Sequence, residues 1–217
     1  MKILVVGNRG NFGKTAVDYL RSMDHEVSGV DKNDELPKSL DNYDAFLLAI
    51  PIRETIHFLE NHDQENLIEI CSVKEPLKKF SQRIISIHPM FGPNSINDPE
   101  FRHIFFINDI SSPDKLDFVK NLFPGFFVHS VTADEHDRFM IDLLVRPYIF
   151  SMIAQKTDEP IESRITTSSY DKLRVLQSIS LKESEGVIHD TIAYNPYSME
   201  SLKKIREQVE AMFNAFT

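Results

Sequence analysis

The sequence predicts an α/β protein in which a doubly wound, Rossmann-like and mostly parallel sheet is followed by a small all-α domain. Short aliphatic runs alternate with helically spaced apolar residues five or more times over about 130 residues, which is typical of βα units. A glycine-rich loop follows the first aliphatic run. No strand-like run recurs after residue 131, so we predict one domain at 1–131 and an all-helical one at 132–217.

The composition limits the class of partner. The 217 residues carry a formal net charge of −9, which argues against nucleic-acid binding, and the basic run Lys203–Arg206 is interpreted as a solvated helix face. The single cysteine, Cys71, excludes an internal disulfide framework and is interpreted as a small core residue. No metal site is predicted. Apolar runs are too short for a signal peptide or a membrane span, so we expect a cytoplasmic protein.

The loop after the first strand is the first candidate site. Ile3–Val6 predicts a buried strand, and apolar residues recur at helical spacing from Ala16 onward. The candidate cofactor-binding residues between them are Gly7, Asn8, Arg9, Gly10, Asn11, Phe12 and Gly13. Glycines there permit a tight turn and bring a pyrophosphate close to the amides of the following helix. Because the usual Gly-x-Gly-x-x-Gly pattern needs glycine at position 8, this loop is a variant, and a glycine turn without a ligand is the alternative.

Two more residues are assigned to the cofactor site. Glu26–Asp31 predicts a second strand that ends in an acid about 20 residues beyond the loop. A carboxylate at Asp31 accepts hydrogen bonds from a ribose diol and repels a 2′-phosphate, which favours NAD over NADP, whereas the alternative is a simple turn cap. Ala45–Ile50 predicts a third strand, and Pro51, where the chain must leave the sheet, is counted with the cofactor site.

Polar residues end the next two predicted strands. Leu67–Cys71 is followed by Ser72 and Lys74, and Ile84–Ile87 ends at His88. Because carboxyl ends of parallel strands face the ligand crevice, Ser72 and Lys74 can orient the imidazole of His88 or hold a carboxylate. The alternatives are a strand-end cap for Ser72 and a structural role for His88.

The remaining sequence predicts two more strands and then helices alone. His103–Ile107 and Phe126–Val128 are strand-like, with a helix between them. Thr132–Glu135 is a capping box, and Phe139–Ile153 is apolar on nearly every side, which predicts a helix buried all round. Further helices are predicted at 169–182, 186–193 and 198–216. So short a helical domain cannot easily bury its own apolar surface, and we expect it to form a homodimer.

The segment His88-Pro89-Met90-Phe91-Gly92-Pro93 resembles the signature of the prephenate/arogenate dehydrogenases. Three weaker segments match the same family in order: the glycine loop, Glu69–Lys74 and Glu135–Asp137. The resemblance implies a Rossmann domain with a helical dimerisation domain, and NAD-dependent conversion of prephenate to 4-hydroxyphenylpyruvate in tyrosine biosynthesis. It also implies that His88 is the catalytic histidine, Ser72 the serine beside it, and His136 a histidine near the substrate.

The chain departs from this family in its helical half. Pro147 stands where relatives commonly have a histidine in the long helix, and the arginine that relatives use for a substrate carboxylate has no match beyond nearby Arg174. We predict Arg146 as the anchor for the dianionic substrate, with Arg174 as the second candidate. The alternative for Arg146 is an i,i+4 ion pair with Asp142. Arogenate as substrate, and a non-catalytic dinucleotide-binding sensor, also remain alternatives.

Overall fold

The computed structural model of the protein describes residues 1–92, 95–157 and 166–217. Pro93, the last residue of the signature segment, and Asn94, the first of a turn-like stretch, lie outside the described residues. The chain divides into two compact units, Met1–His136 and Asp137–Thr217. The division lies after His136 and not after residue 131, because the first turn of the following helix is tied to the first unit. One such tie is a 2.8 Å hydrogen bond from the Ala133 amide to Asp109 Oδ1.

The first unit is built on a seven-stranded sheet with the order β2-β1-β3-β4-β5-β6-β7. All neighbouring strands are parallel except β5 and β6, which are antiparallel. This sheet confirms the predicted fold class. The strands are β1 (Lys2–Val6), β2 (Glu26–Val30), β3 (Ala45–Leu48), β4 (Leu67–Glu69), β5 (Ile85–Pro89), β6 (His103–Ile107) and β7 (Phe127–Val131). The helices are α1 (Asn11–Ser22), α2 (Ile52–Asn61), α3 (Lys115–Leu122) and the short 3-10 turns Glu75–Phe80 and Pro99–Phe101.

Both faces of the sheet are buried, which explains why its strands are continuous aliphatic runs. Ile3 and Val5 belong to one large apolar cluster that also includes Leu20 of α1 and Leu122 of α3. Leu4, which points to the opposite face by strand alternation, is equally inaccessible. The predicted strand Leu67–Cys71 was too long, since β4 ends at Glu69. The amide of Cys71 does not extend the strand because it donates to the Glu69 side chain.

The order of the first three strands creates a topological switch point. The chain places β2 on one side of β1 and β3 on the other, and from β3 onward it builds the sheet in the second direction. Ligands of open α/β sheets bind in the crevice at the carboxyl ends of the strands beside such a point. The glycine loop after β1 and Pro51 after β3 both lie at this crevice.

The helical half consists of α4 (Ala133–Met140), a π-helical turn (Ile141–Val145), α5 (Arg146–Lys156), α6 (Ser168–Leu181), α7 (Glu185–Tyr194) and α8 (Ser198–Phe216). The predicted capping box at the start of α4 is confirmed by hydrogen bonds in both directions between Thr132 and Glu135. Among the described residues, no helix has the length and apolar content needed to span a membrane.

The long helix differs from its prediction in two ways. It is interrupted by the π turn just before Pro147, because proline has no amide to donate to the carbonyl four residues earlier and its ring clashes with that carbonyl. It is also not buried all round within the chain, since Phe139, Leu143, Phe150 and Ile153 are each 42–49% exposed.

Candidate active site

The glycine loop has the tight geometry that close approach of a phosphate requires. Gly7 has φ +85°, and its amide donates to Val30 O at 2.8 Å, which ties the loop to the end of β2. A Cβ on Gly7 would lie 2.3 Å from Ala49 O, and one on Gly13 would lie 2.0 Å from Gly7 O. Both positions therefore require glycine, because the loop lies in close contact with the end of β3 and with the start of α1.

Asn8 stands where the usual pattern has its first glycine, and a glycine on β2 makes room for its side chain. A Cβ built on Gly29 would lie 2.3 Å from Asn8 Nδ2, so the Asn8 side chain fills the space over a glycine of β2. The sequence prediction missed this compensation. Asn8 Oδ1 is buried and lacks a hydrogen-bond partner among the described residues. A buried amide oxygen in this state favours a ligand hydroxyl or a water as its donor.

The amino end of α1 is open to an anion. Its N-cap is Gly10, which offers no side chain to the first-turn amides, and the first turn carries no acidic residue. The first-turn amides and the helix dipole together favour a phosphate at this position. Arg9, Asn11 and Phe12, the other predicted loop residues, lie in the same turn or in the first residues of the helix.

Asp31 lies immediately after β2, where the crevice opens. Its carboxylate accepts the Lys32 amide at 2.8 Å and the Arg9 amide at 3.0 Å. The Lys32 hydrogen bond is the largest cause that holds the pKa of Asp31 below its usual value, and the Arg9 amide and the two nearby cationic charges act in the same direction. Asp31 is thus an ionised acceptor beside the loop. The loop, the helix terminus and this carboxylate together fit a dinucleotide.

His88 and His136 form a buried pair of imidazoles in the first unit. His88 Nδ1 lies 2.9 Å from His136 Nε2, and the two side chains are 7% and 0% exposed. Burial lowers the pKa of His88 well below its usual value, and the neighbouring His136 and Lys74 lower it further. Burial, and then Lys74, lower the pKa of His136 as well. Both rings are therefore neutral near pH 7, and one of them donates a hydrogen bond to the other.

A buried ion pair contacts the strand that carries His88. Lys74 Nζ donates to Glu69 Oε1 and to Ile87 O, each at 2.7 Å, and both charged side chains are fully buried. Glu69 also accepts from the Ser86 hydroxyl and, at 2.8 Å, from the Cys71 amide. The network thereby joins the end of β4 to the strand that carries His88.

These contacts disfavour the predicted role of Lys74 in substrate binding, which stays a prediction. The charge of its ammonium group is already compensated by Glu69, and the side chain has no exposed surface to offer to a carboxylate. The sequence prediction missed the role of Glu69. A carboxylate inside an otherwise apolar strand could have indicated that this residue has a buried partner. Cys71 is buried as predicted, and burial raises the pKa of its thiol far above the ordinary value.

Ser72 is half-buried and lies three residues after the end of β4. Glu69 pairs with Ser86 in the parallel register of β4 and β5, so Ser72 and His88 both lie toward the carboxyl ends of neighbouring strands. Such a position suits a hydroxyl that orients the imidazole, and the role of Ser72 stays a prediction.

The predicted arginine anchors lie in the helical unit. Arg146 forms the i,i+4 pair with Asp142 that its sequence position allows, and its Nε donates to Ser201 Oγ at 3.3 Å. Its side chain keeps 42% exposure, so a contact with an anion stays sterically open. Arg174 is exposed on α6. Neither role as a substrate anchor is tested by these contacts, and both stay predictions.

The fold and the switch-point loop define a class: the chain has the architecture of Rossmann-type dehydrogenases. Comparison with known proteins identifies which dehydrogenases the chain is similar to. No family model matches the chain. Among curated proteins, the T-protein of Haemophilus influenzae is 28% identical over 153 residues, which cover 64% of this chain and 40% of the relative. The chain thus spans less than half the length of the curated relative that it matches.

Solved structures with the same fold come from prephenate and arogenate dehydrogenases. Synechocystis arogenate dehydrogenase is 18% identical, covers 100% of this chain and 92% of its own, and superposes with a TM-score of 0.67. The Aquifex aeolicus prephenate dehydrogenase, solved with hydroxyphenyl propionate and NAD+, is 14% identical with a TM-score of 0.74, and the match covers 100% of this chain and 90% of that one. These likenesses confirm the fold, and both structures come from the family that the signature segment resembles.

Proposed function

We propose that this chain is an NAD-dependent dehydrogenase of the prephenate/arogenate type, with prephenate as its substrate in tyrosine biosynthesis. The observation that carries the proposal is the neutral His88–His136 pair at the carboxyl end of β5. The glycine loop lies on the same side of the sheet, at the carboxyl end of β1. Three strand steps of ~4.8 Å separate β1 from β5, so the loop and the imidazoles are roughly 14 Å apart along that edge. An extended dinucleotide suits such a spacing.

The pair can hold a proton acceptor in place. If His88 Nδ1–H donates to His136 Nε2, His88 Nε2 keeps an unprotonated lone pair for the ring hydroxyl of the substrate. His136 acts here as the acceptor that selects this tautomer. A positioned general base of this kind contributes about 10²–10⁴ in rate. Bound NAD would supply the hydride acceptor, and loss of the ring carboxylate as CO2 makes the ring aromatic.

The dinucleotide preference follows from Asp31. Its ionised carboxylate offers acceptors to a ribose diol and repels a 2′-phosphate, which supports NAD over NADP. We also propose that the helical unit forms a homodimer. Supporting this, α8 leaves Val209, Met212 and Phe213 58–68% exposed, in addition to the exposed apolar residues of the long helix.

Assays of the purified chain with prephenate or arogenate, and with NAD or NADP, test the proposal. We expect NADH to appear with prephenate, together with 4-hydroxyphenylpyruvate in equal amount. Turnover of arogenate alone would transfer the assignment to that substrate, which differs by an amine in place of the side-chain keto group. Dinucleotide binding without turnover of either substrate would contradict an enzyme and favour the non-catalytic sensor.

A further inference from the structure

A second carboxylate lies beside Asp31 and restrains the one arginine of the glycine loop. Arg9 Nη2 lies 2.8 Å from Asp34 Oδ1 and 2.9 Å from Asp34 Oδ2. Asp34 Oδ2 also accepts the Asp31 amide at 2.9 Å, and the Asp34 amide donates to Asp31 O at 2.8 Å. The turn after β2 therefore folds back so that Asp34 contacts both Asp31 and Arg9.

The chemistry of these three residues bears on the 2′ position of an adenosine ribose. An arginine near the acid at the end of β2 is the residue type that accommodates a 2′-phosphate. Arg9 meets this condition, since its own amide binds Asp31 at 3.0 Å. Its guanidinium, however, is paired with Asp34 and carries no uncompensated charge toward the crevice.

We propose that Asp34 is a specificity-determining residue for the dinucleotide, because it neutralises and holds the guanidinium that could otherwise bind a 2′-phosphate. The inference rests on the proposed NAD site and deepens it. Asp31 alone supplies one repelling carboxylate, and Asp34 adds a second while withdrawing the nearby cation. The Arg9 side chain is 59% exposed and that of Asp34 31%, so the pair adds little to folding stability and leaves Arg9 room to turn toward a ligand.

The test is the variant Asp34→Asn, which keeps an acceptor oxygen for the Asp31 amide and removes the charge. Binding of NADH and NADPH to wild type and variant is measured by nicotinamide fluorescence, without substrate, at low and high salt. We expect NADPH affinity to rise about tenfold, as expected for a released charge-assisted contact, while NADH affinity changes little. The gain should shrink in high salt, because both groups are partly solvated.

The variant Arg9→Gln tests whether the gain in NADPH affinity depends on the arginine. In the Asp34→Asn background it should abolish the gain in NADPH affinity, and in wild type it should change NADPH affinity far less. Asp63→Asn, an exposed carboxylate after α2 at the opposite end of the strands, controls for the change in net charge and should leave both affinities unaltered.

The outcomes separate this inference from the proposed function. An unchanged NADPH-to-NADH affinity ratio in Asp34→Asn, with normal NADH binding by wild type, overturns the role of Asp34 alone. An equal loss of NADPH affinity from Arg9→Gln in both backgrounds also overturns it, because Arg9 would then already be available in wild type. Failure of wild type to bind either dinucleotide contradicts the NAD site itself.

Discussion

At the scale of single residues, the proposed chemistry depends on a hydrogen bond between two buried imidazoles, those of His88 and His136. Burial, His136 and the Lys74 charge keep His88 neutral, and in the proposed arrangement His136 accepts the hydrogen of His88 Nδ1. A structural histidine would need only a hydrogen-bond partner. A general base also needs a lone pair that faces the crevice, and replacements of His88 distinguish these roles.

We expect His88→Asn to retain NAD affinity and to lose most of kcat, by about 10²-fold or more, because an amide can hold a hydrogen bond but cannot accept the proton. Ser72→Ala should cost less, since its hydroxyl only orients the imidazole. Steady-state kinetics and an NADH titration measure both effects. A His88→Asn enzyme within a few-fold of wild type would return this histidine to a structural role.

The charge of Lys74 gives a prediction about pH. The neutral form of His88 is the active base, so activity should persist as pH falls below 6.5, until the lowered pKa of His88 is reached. Removing a nearby positive charge favours the imidazolium and raises that pKa. We therefore expect Lys74→Met to move the acidic limb of kcat to higher pH.

Lys74→Met also leaves Glu69 buried without its partner, which typically costs about 3–5 kcal/mol. The paired Glu69→Gln/Lys74→Met variant avoids that cost and still lacks the lysine charge. Lys79→Met, which removes an exposed lysine paired with Glu60, is the matched control and should leave the pH profile in place. An unshifted acidic limb in both Lys74 variants would contradict the electrostatic effect on His88.

At the scale of elements, the sequence predicted what depends on neighbouring residues. The strand-loop-helix at Gly7, the capping box at Thr132 and the bounds of the last three helices were all close to the structure, because their signals are local periodicity and end caps. Long-range partners were not predictable in this way. The Lys74 ammonium finds Glu69 and Ile87 O only after two strands are aligned, and Asp34 meets Arg9 only because a turn folds back.

Strand direction and helix irregularity were also beyond the sequence pattern. Alternation of apolar residues is the same in parallel and antiparallel strands, so the antiparallel β6 could not be distinguished from its neighbours. A proline such as Pro147 disturbs a helix, but whether the chain kinks, breaks or widens depends on surrounding packing. Here it widens into the π turn at Ile141–Val145, which brings Arg146 to the first position of α5.

The place of Arg146 after this turn allows its predicted role to be tested. If Arg146 holds a substrate carboxylate, Arg146→Ala should raise KM for the ring substrate by the equivalent of ~1.5–3 kcal/mol and leave KM for NAD unchanged. Asp142→Ala removes the i,i+4 partner but keeps the arginine, and serves as the matched control. A lower melting temperature with both KM values unchanged would show that Arg146 is structural, and Arg174→Ala would then be the next variant.

At the scale of the whole molecule, the helical unit keeps apolar surface that is exposed to solvent in the single chain. Phe139, Leu143, Phe150 and Ile153 are nearly half exposed on the segment that the sequence marks as apolar all round. Contiguous exposed apolar side chains of this size are uncommon on monomers and mark interaction surfaces. A second copy is the occupant that we propose, because the same surface on both chains would be buried at once by two-fold symmetry.

We expect light scattering at micromolar concentration to give twice the 25.1 kDa mass of the chain. An obligate interface usually buries upwards of ~2,000 Å², so one buried charge near its centre should disrupt it. Leu143→Glu and Phe150→Glu should each shift the mass toward the monomer and lower the melting temperature. Gln208→Glu, on an exposed polar position of α8, adds the same charge and should leave the dimer intact. A wild-type monomer at micromolar concentration would contradict the dimer, and the exposed helix face would then require another partner.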